Sequence, residues 1–566
     1  MKRKIFALIS ALALLCSSCS LKEEPKSFAT RENYYNNETQ CRSALNGCYP
    51  PMASIYAANF MLMTEAVSDI WYSLSTTVDA ILDVTPAKPQ FGSTVWTQGY
   101  RGVMRCNECI ECIGSSPLDA SVKIPMVAEA RTMRAFYYYI LTCVFNGVPY
   151  YDYMVEDNTT LEKIRVLPRT DASVIRTTLY NDLKYNALPY FSEEQRKRTS
   201  EVEDQRSGYA LCLMLMAKMA MWNEDWVAAL EPLKELEELY GELTEERYPL
   251  EQTMWRYKNT AESILEVQHD WSRTGVQYSG NVANIVMPSN TVVDGVRYYD
   301  GVYIEELGSE ATSWNSLRSN NTYAMFRVKS GYSTDETDQS VNSVFSPLPL
   351  KADTESGEYN TVDDRYYMLL DQDVLAKLKA GEPAEIRGQK VDRRCVYTLG
   401  LGNYETGDTF NLTRQYGVCW AGPKFWCPGI VQNYDSNNYK VFRYADAVLM
   451  MAECYIKMEN APEAMRYLNM TRRRAGVDDI DNYVGFEDLM LKLRAERARE
   501  LGGEFQRKFD LVRWGVWYEQ TLANTNNNRG LKDRIRRCHR YYPIPDTECA
   551  LSGYALTNDE YVEEGM

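Results

Sequence analysis

The chain has 566 residues, with 78 acidic side chains against 62 basic ones and a net charge of −16 at pH 7. Such an acidic surface repels phosphates, which excludes nucleic acid as a natural partner, and no basic cluster escapes that balance. The length allows a large core and several domains.

In chain order, Lys2, Arg3 and Lys4 precede an almost wholly apolar run from Ile5 to Leu15. This is the charged start and short apolar core of an export signal, well below the roughly 20 residues that span a bilayer. Leu15-Cys16-Ser17-Ser18 then stands before Cys19 in the manner of a bacterial lipobox. The reading is a lipoprotein signal peptide over 1–18, a lipid anchor on Cys19 and a tether over 19–33. Several acyl chains on one cysteine make a firm anchor, and the lipid is the expected membrane attachment.

Three zones follow: a helical part over 34–241, an irregular part over 242–437 rich in Asn, Ser, Gly, Thr and aromatics, and a helical part with a loop-rich tail over 438–566. In the first, Cys106, Cys109 and Cys112 recur every third residue. On a helix, the outer two point about 120° apart, so all three cannot converge on one metal. Small buried thiols, or a disulfide to a neighbouring segment, are expected instead. Cys419, Cys427, Cys538 and Cys549 could also pair in an exported protein, with connectivity left open.

The strongest helices come as hairpins. Ser207 is the expected N-cap of "GYALCLMLMAKMAMW", Asn223-Glu224 break that helix, Asp225 caps the next, and Gly241 ends it. Further on, Val441, Tyr444, Ala445, Val448, Leu449, Ala452, Tyr455 and Ile456 form one apolar stripe at helical spacing. Asn460 caps the following helix, which carries Pro462 in its first turn and stops at Gly476. Ala217, Ala229 and Leu233 repeat the spacing of Ala452, Ala464 and Leu468. Tetratricopeptide repeats place small, small and large residues at those intervals where paired helices cross. The fold class is therefore mainly α, a tetratricopeptide-like helical-repeat scaffold carrying a large irregular, loop-rich subdomain.

Composition adds a hint about ligands. There are 42 Tyr and 11 Trp against 15 Phe. Tyr and Trp put a polar tip on an apolar face, which suits helix contacts, wet interfaces and sugar rings alike.

Several stretches carry a family resemblance: "FATRENYYNNETQCRSALNGCY", "AEARTMRAFYYYILTCVFNGVPYYD" (128–152), "TDASVIRTTLYNDLKYNALPYF", "YKVFRYADAVLMMAECYIK", "YLNMTRRRAGV", "LRAERARELGGEFQRKFDLVRWG" (493–515) and "YYPIPDTE" (541–548). The chain resembles SusD/RagB-type outer-membrane nutrient-binding lipoproteins over most of its mature length, least across 242–437. In 493–515 the residues themselves read as architecture. Glu496, Glu500, Arg507, Asp510 and Arg513 alternate acid and base at helical spacing, which predicts a partly buried ion network beneath Trp514.

The resemblance implies one SusD-like unit without catalytic activity, cofactor or metal. It also implies an oligosaccharide or polysaccharide ligand, a SusC-like TonB-dependent transporter as partner, and a lipid-anchored place on the outer membrane facing the exterior. The family's glycan groove maps onto "EAVSDIWYSLSTT" (65–77) and parts of 270–326. There the candidate ligand contacts are Asp69, Trp71, Tyr72, Trp271, Tyr278, Trp314 and Tyr323, with Arg273, Asn281 and Arg318 as nearby polar groups. Capture of peptides on the same scaffold is the alternative, and a glycoside hydrolase a third. Against the hydrolase stand only two histidines, His269 and His539, and no nucleophile or metal spacing, although two carboxylates suffice for glycoside cleavage.

Overall fold

Three short helices, α1 (Glu38–Asn46), α2 (Pro50–Ile55) and α3 (Ala58–Thr64), lead into a strand β1 (Trp71–Ser73). The computed structural model describes residues 34–73, 83–270, 279–287, 290–299, 317–319, 376–377, 380–386, 389–390, 392–394, 423–430, 434–524 and 531–566. The signal, the tether and Cys19 lie outside the described residues, as does much of 242–437.

Two long helices follow, α4 (Gly92–Gly114) and α5 (Ala120–Phe145), packed along one another. From Met126 on, α5 is buried on nearly every side, so it has no polar face and serves as the central helix of its half. α4 approaches it closely where side chains are missing: a Cβ at Gly102 would lie 2.4 Å from the Tyr137 ring. The tyrosine excess finds its use here. Tyr137, Tyr138 and Tyr139 are buried, and Tyr138 donates its hydroxyl to the Tyr151 carbonyl at 2.7 Å. The polar residues of "AEARTMRAF" tie α5 to its neighbours: Glu129 pairs with Arg206 at 2.7 Å, and Arg134 with Asp182 at 2.7 Å.

Cys106, Cys109 and Cys112 sit on α4, all buried. Cys538 and Cys549 remain separate buried thiols, as does Cys427, whereas Cys419 lies outside the described residues.

The helices α6 (Asn158–Arg165) and α7 (Ala172–Asn186) precede the first hairpin, α8 (Tyr209–Trp222) and α9 (Trp226–Tyr240). Asp225 caps α9 by accepting from the Ala228 amide at 3.0 Å, and Gly241 ends it at φ +75°. Ser207 does not cap α8. Its hydroxyl is buried against the Met133 sulfur at 3.2 Å, and the helix begins after Gly208.

The irregular part contributes β2 (Ser263–Val267), a short helix α10 (Val282–Val286), the hairpin β3 (Asn290–Val293) and β4 (Val296–Tyr299), β5 (Leu317–Ser319), and the pair β6 (Glu385–Ile386) and β7 (Gln389–Lys390). Then come β8 (Tyr439–Arg443), the second hairpin α11 (Tyr444–Lys457) and α12 (Ala461–Arg474), α13 (Gly485–Leu501), α14 (Arg507–Arg513) and α15 (Trp517–Asn524). Val441, read from periodicity as helix, lies in β8, because residues 439–443 pair antiparallel with β2 instead of extending α11. Asn460 caps α12, and Gly476 follows it at φ +76°. Ala217, Ala229, Leu233, Ala452, Ala464 and Leu468 are all fully buried, and α9 packs against α11, so the hairpins lie side by side. Among the described residues no helix is long and apolar enough to cross a membrane.

The ion network predicted from 493–515 is present, and its partners come from across the chain. Arg443 reaches Glu262, Glu500 and Glu504 at 2.7, 2.6 and 2.9 Å. Arg394 reaches Glu496 at 2.6 Å and Glu500 at 2.9 Å. Arg497 joins Asp446 to Asp510, and Arg513 joins Asp510 to Glu453, which also accepts from the Trp514 indole at 2.9 Å. Burial alone would raise the pKa of Glu496, but Arg394 and Arg499 hold it at about 2; Glu500 and Asp446 are likewise held low by their buried cations.

A carboxylate whose folded pKa is depressed stabilises the fold above its unfolded pKa of about 4.3, and that contribution is lost as pH falls through the folded value. The urea midpoint should therefore drop steeply between pH 5 and pH 2. A flat profile over that window would show that these carboxylates are not ion-paired in the fold.

Candidate ligand-binding site

Two segments far apart in sequence meet in one strand pair. β1 runs antiparallel to β5, with Trp71 opposite Ser319, Tyr72 opposite Arg318 and Ser73 opposite Leu317. These belong to the two stretches from which the sequence predicts ligand contacts. Beside them, α10 packs on both α3 and β5.

The approach to α10 is fixed by polar groups. The Asn281 side chain accepts from the Ala58 amide at 2.9 Å, tying it to the start of α3. The Tyr439 hydroxyl accepts from the Val282 amide at 2.9 Å, and the Asp435 carboxylate accepts from the Ala283 and Asn437 amides at 2.9 and 3.1 Å. Burial pushes the Asp435 pKa up to about 7, against the pull of those amides. Asn281, a polar group near the expected ligand contacts, thus ties the start of α10 to the start of α3.

The β1 side stands on the motif at 493–515. The Glu65 carboxylate accepts from the backbone amides of Gly503, Gln506 and Arg507 at 3.2, 2.9 and 3.2 Å. Burial pushes its pKa up to about 8. The Trp517 indole donates to the Val67 carbonyl at 2.8 Å. Asp69 takes a two-pronged ion pair from Arg507, at 2.7 and 2.6 Å, and is 8% exposed. The Trp71 ring is fully buried, edge-on to Phe425 with centroids 5.6 Å apart, and covers Gly503. Trp255, Tyr439, Phe425 and Phe505 continue this aromatic layer.

Asp69 and Trp71 therefore hold the segment in place and do not present themselves to a ligand. Arg507 occupies both Asp69 oxygens, and a ring without exposed surface has no face on which a sugar could stack. Tyr72 is placed by its backbone only, opposite Arg318. Trp271, Tyr278, Trp314 and Tyr323, with Arg273, lie outside the described residues. Glu65, Phe425 and Trp255 escaped the sequence reading, because their importance comes from partners hundreds of residues away. Among the described residues no group of three or more His, Cys, Asp or Glu is placed to hold a metal ion.

Residues 400–561 match the model of the SusD family, and residues 21–184 match a second SusD-like model described as starch-binding and associating with the outer membrane. The chain thus resembles the SusD/RagB family at both of its ends. SusD-like protein P25 of Formosa agariphila is 25% identical, with 97% of each chain covered. A SusD homologue from Bacteroides thetaiotaomicron superposes with a TM-score of 0.66 at 18% identity, covering 93% of this chain and 97% of that one. Surface glycan-binding protein A from the same organism, solved in complex with laminarihexaose, gives 0.59 at 19% identity, covering 92% and 99%. In this chain the 493–515 motif is structural: it carries the base of β1.

Proposed function

We propose that this protein is a SusD-family, non-catalytic lipoprotein that captures oligosaccharides or polysaccharides at the outer membrane. It is anchored through Cys19 on the exterior face and passes its ligand to a SusC-like TonB-dependent transporter. The observation that carries this reading is the β1–β5 pair, which unites the two stretches expected to form the groove on a base locked by Glu65, Asp69 and Trp71. The laminarihexaose bound by a structural relative supports the ligand class. A rigid helical body with ligand-touching loops is the usual division of labour in binding proteins.

The proposed ligand contacts are Tyr72, Trp271, Tyr278, Trp314 and Tyr323, flat faces on which sugar rings can stack. Each well-placed aromatic adds about 0.5–1.5 kcal/mol beyond area burial, so its removal should weaken binding roughly 2- to 12-fold. A glycan array identifies the ligand, and Trp271→Ala, Trp314→Ala and Tyr72→Ala, titrated by calorimetry, check the contacts. At least two of them should weaken binding with folding unchanged. Binding unaffected by all three would remove this site assignment, product formation would replace the binding reading with an enzymatic one, and selective retention of peptides would favour the peptide reading. Palmitate incorporation lost on Cys19→Ala checks the anchor, and co-purification of a large β-barrel protein checks the partner.

A further inference from the structure

Buried thiols are the reactive chemistry that ligand capture leaves unused. Two of them, from separate elements, meet: Cys48 Sγ lies 3.7 Å from Cys109 Sγ, and both side chains are buried. Cys48 sits in the turn between α1 and α2, and Cys109 lies within α4, against which both short helices pack. The turn is held there independently of the sulfurs. Arg105 donates to the Gly47 carbonyl at 2.7 Å, and the Tyr137 hydroxyl donates to the Cys48 carbonyl. Two thiols are thus presented to each other by a fixed backbone. A bonded pair needs about 2.05 Å, which rotation of two short side chains can supply.

We propose that Cys48 and Cys109 are joined by a disulfide in the exported protein. The proposal rests on the export reading above, since disulfides persist outside the reducing cytosol. The bond forms by exchange. One cysteine thiolate attacks the disulfide of an exported thiol–disulfide oxidoreductase, giving a mixed disulfide. The second cysteine then displaces that carrier. The two cysteines lose two protons and two electrons in all, and the carrier leaves as its dithiol. The step belongs to folding. Contact with the Cys48 thiol and burial push the Cys109 thiol up, so in the finished fold neither sulfur is an accessible nucleophile. The closed loop contains α2, α3 and β1. The bond would therefore staple to α4 the whole segment that leads into the ligand site.

Cys106, one turn back on α4, is the competing partner and also neighbours Cys48. The test uses the full chain in cells that export it, lysed in excess alkylating reagent, fractionated, digested without reductant and analysed by mass spectrometry. The expected result is a Cys48 peptide linked to a Cys109 peptide, lighter than their sum by two hydrogens and separated by reductant. The link should survive Cys106→Ala and vanish in Cys109→Ala. In the unfolded state the bond restrains a long loop, so the double variant Cys48→Ala, Cys109→Ala should melt a few degrees lower. Complete alkylation of both cysteines in outer-membrane material overturns the disulfide while leaving export intact. A Cys48–Cys106 link overturns the pairing. Recovery of the chain only from the cytosol overturns the export reading, and the disulfide with it.

Discussion

Replacing Arg443 by Ala should lower the unfolding free energy by about 3–5 kcal/mol, the scale for removing one partner of a buried ion pair. The Arg443 guanidinium is buried among Glu262, Glu500 and Glu504 and also donates to the Glu500 carbonyl. Truncation leaves three carboxylates facing one another in a low-dielectric interior. Arg474, Arg394 and Lys424 remain to neutralise part of that charge, Arg474 at Glu262 and Glu500, Arg394 at Glu500 and Lys424 at Glu504. The remaining deficit cannot be hydrated without opening the junction of β2, β8 and α13. Urea unfolding followed by tryptophan fluorescence checks this. A loss below about 1 kcal/mol, the range of exposed pairs, would mean that water reaches the cluster.

The second large effect is expected at Gly503, where one methyl group should damage both stability and ligand binding. Gly503 has φ +80°, and a Cβ there would lie 2.4 Å from Phe425 and 2.8 Å from the Trp71 ring. Left-handed backbone costs an L-residue about 1–2 kcal/mol, and the clash with two buried rings adds to it. Because Trp71 heads β1, its displacement should shift the strand carrying Tyr72 and weaken glycan binding by about tenfold or more, since small misplacements at a preorganised site are costly. Gly515 provides the control: its φ is +70° with nothing within 4 Å of a Cβ, so Gly515→Ala carries the backbone strain alone. Gly503→Ala should reduce affinity in protein that is still folded, and Gly515→Ala should not. Equal affinities in the two variants would show that Trp71 does not position the site.

Local chemistry was readable in advance wherever the cause lay within a few residues. Asp225 and Asn460 cap their helices, and Gly241 ends one, because these signals need only the next turn of chain. The acid–base alternation of 493–515 likewise announced ion pairing, since unpaired charges are not buried in such density. Ser207 and Val441 were misread for the opposite reason. A core sulfur claims the Ser207 hydroxyl, and strand pairing with β2 claims Val441. Asp69 and Trp71 show the limit most clearly. An acid and an aromatic in a loop serve equally to grip a sugar or to lock a turn, and the choice belongs to Arg507 and Phe425.

By itself, the sequence determined the helical class, the hairpins with small residues at their crossings, and the family resemblance from which the candidate ligand stretches are drawn. Those features depend on periodicity, caps and motif spacing, which act over one or two helical turns. Only the tertiary structure decided that β1 meets β5, that the 493–515 motif holds the segment leading into β1, and that Cys48 faces Cys109. Each of these joins residues separated by tens to hundreds of positions. Such contacts arise when the whole core packs and desolvates, so no local pattern in the chain encodes them.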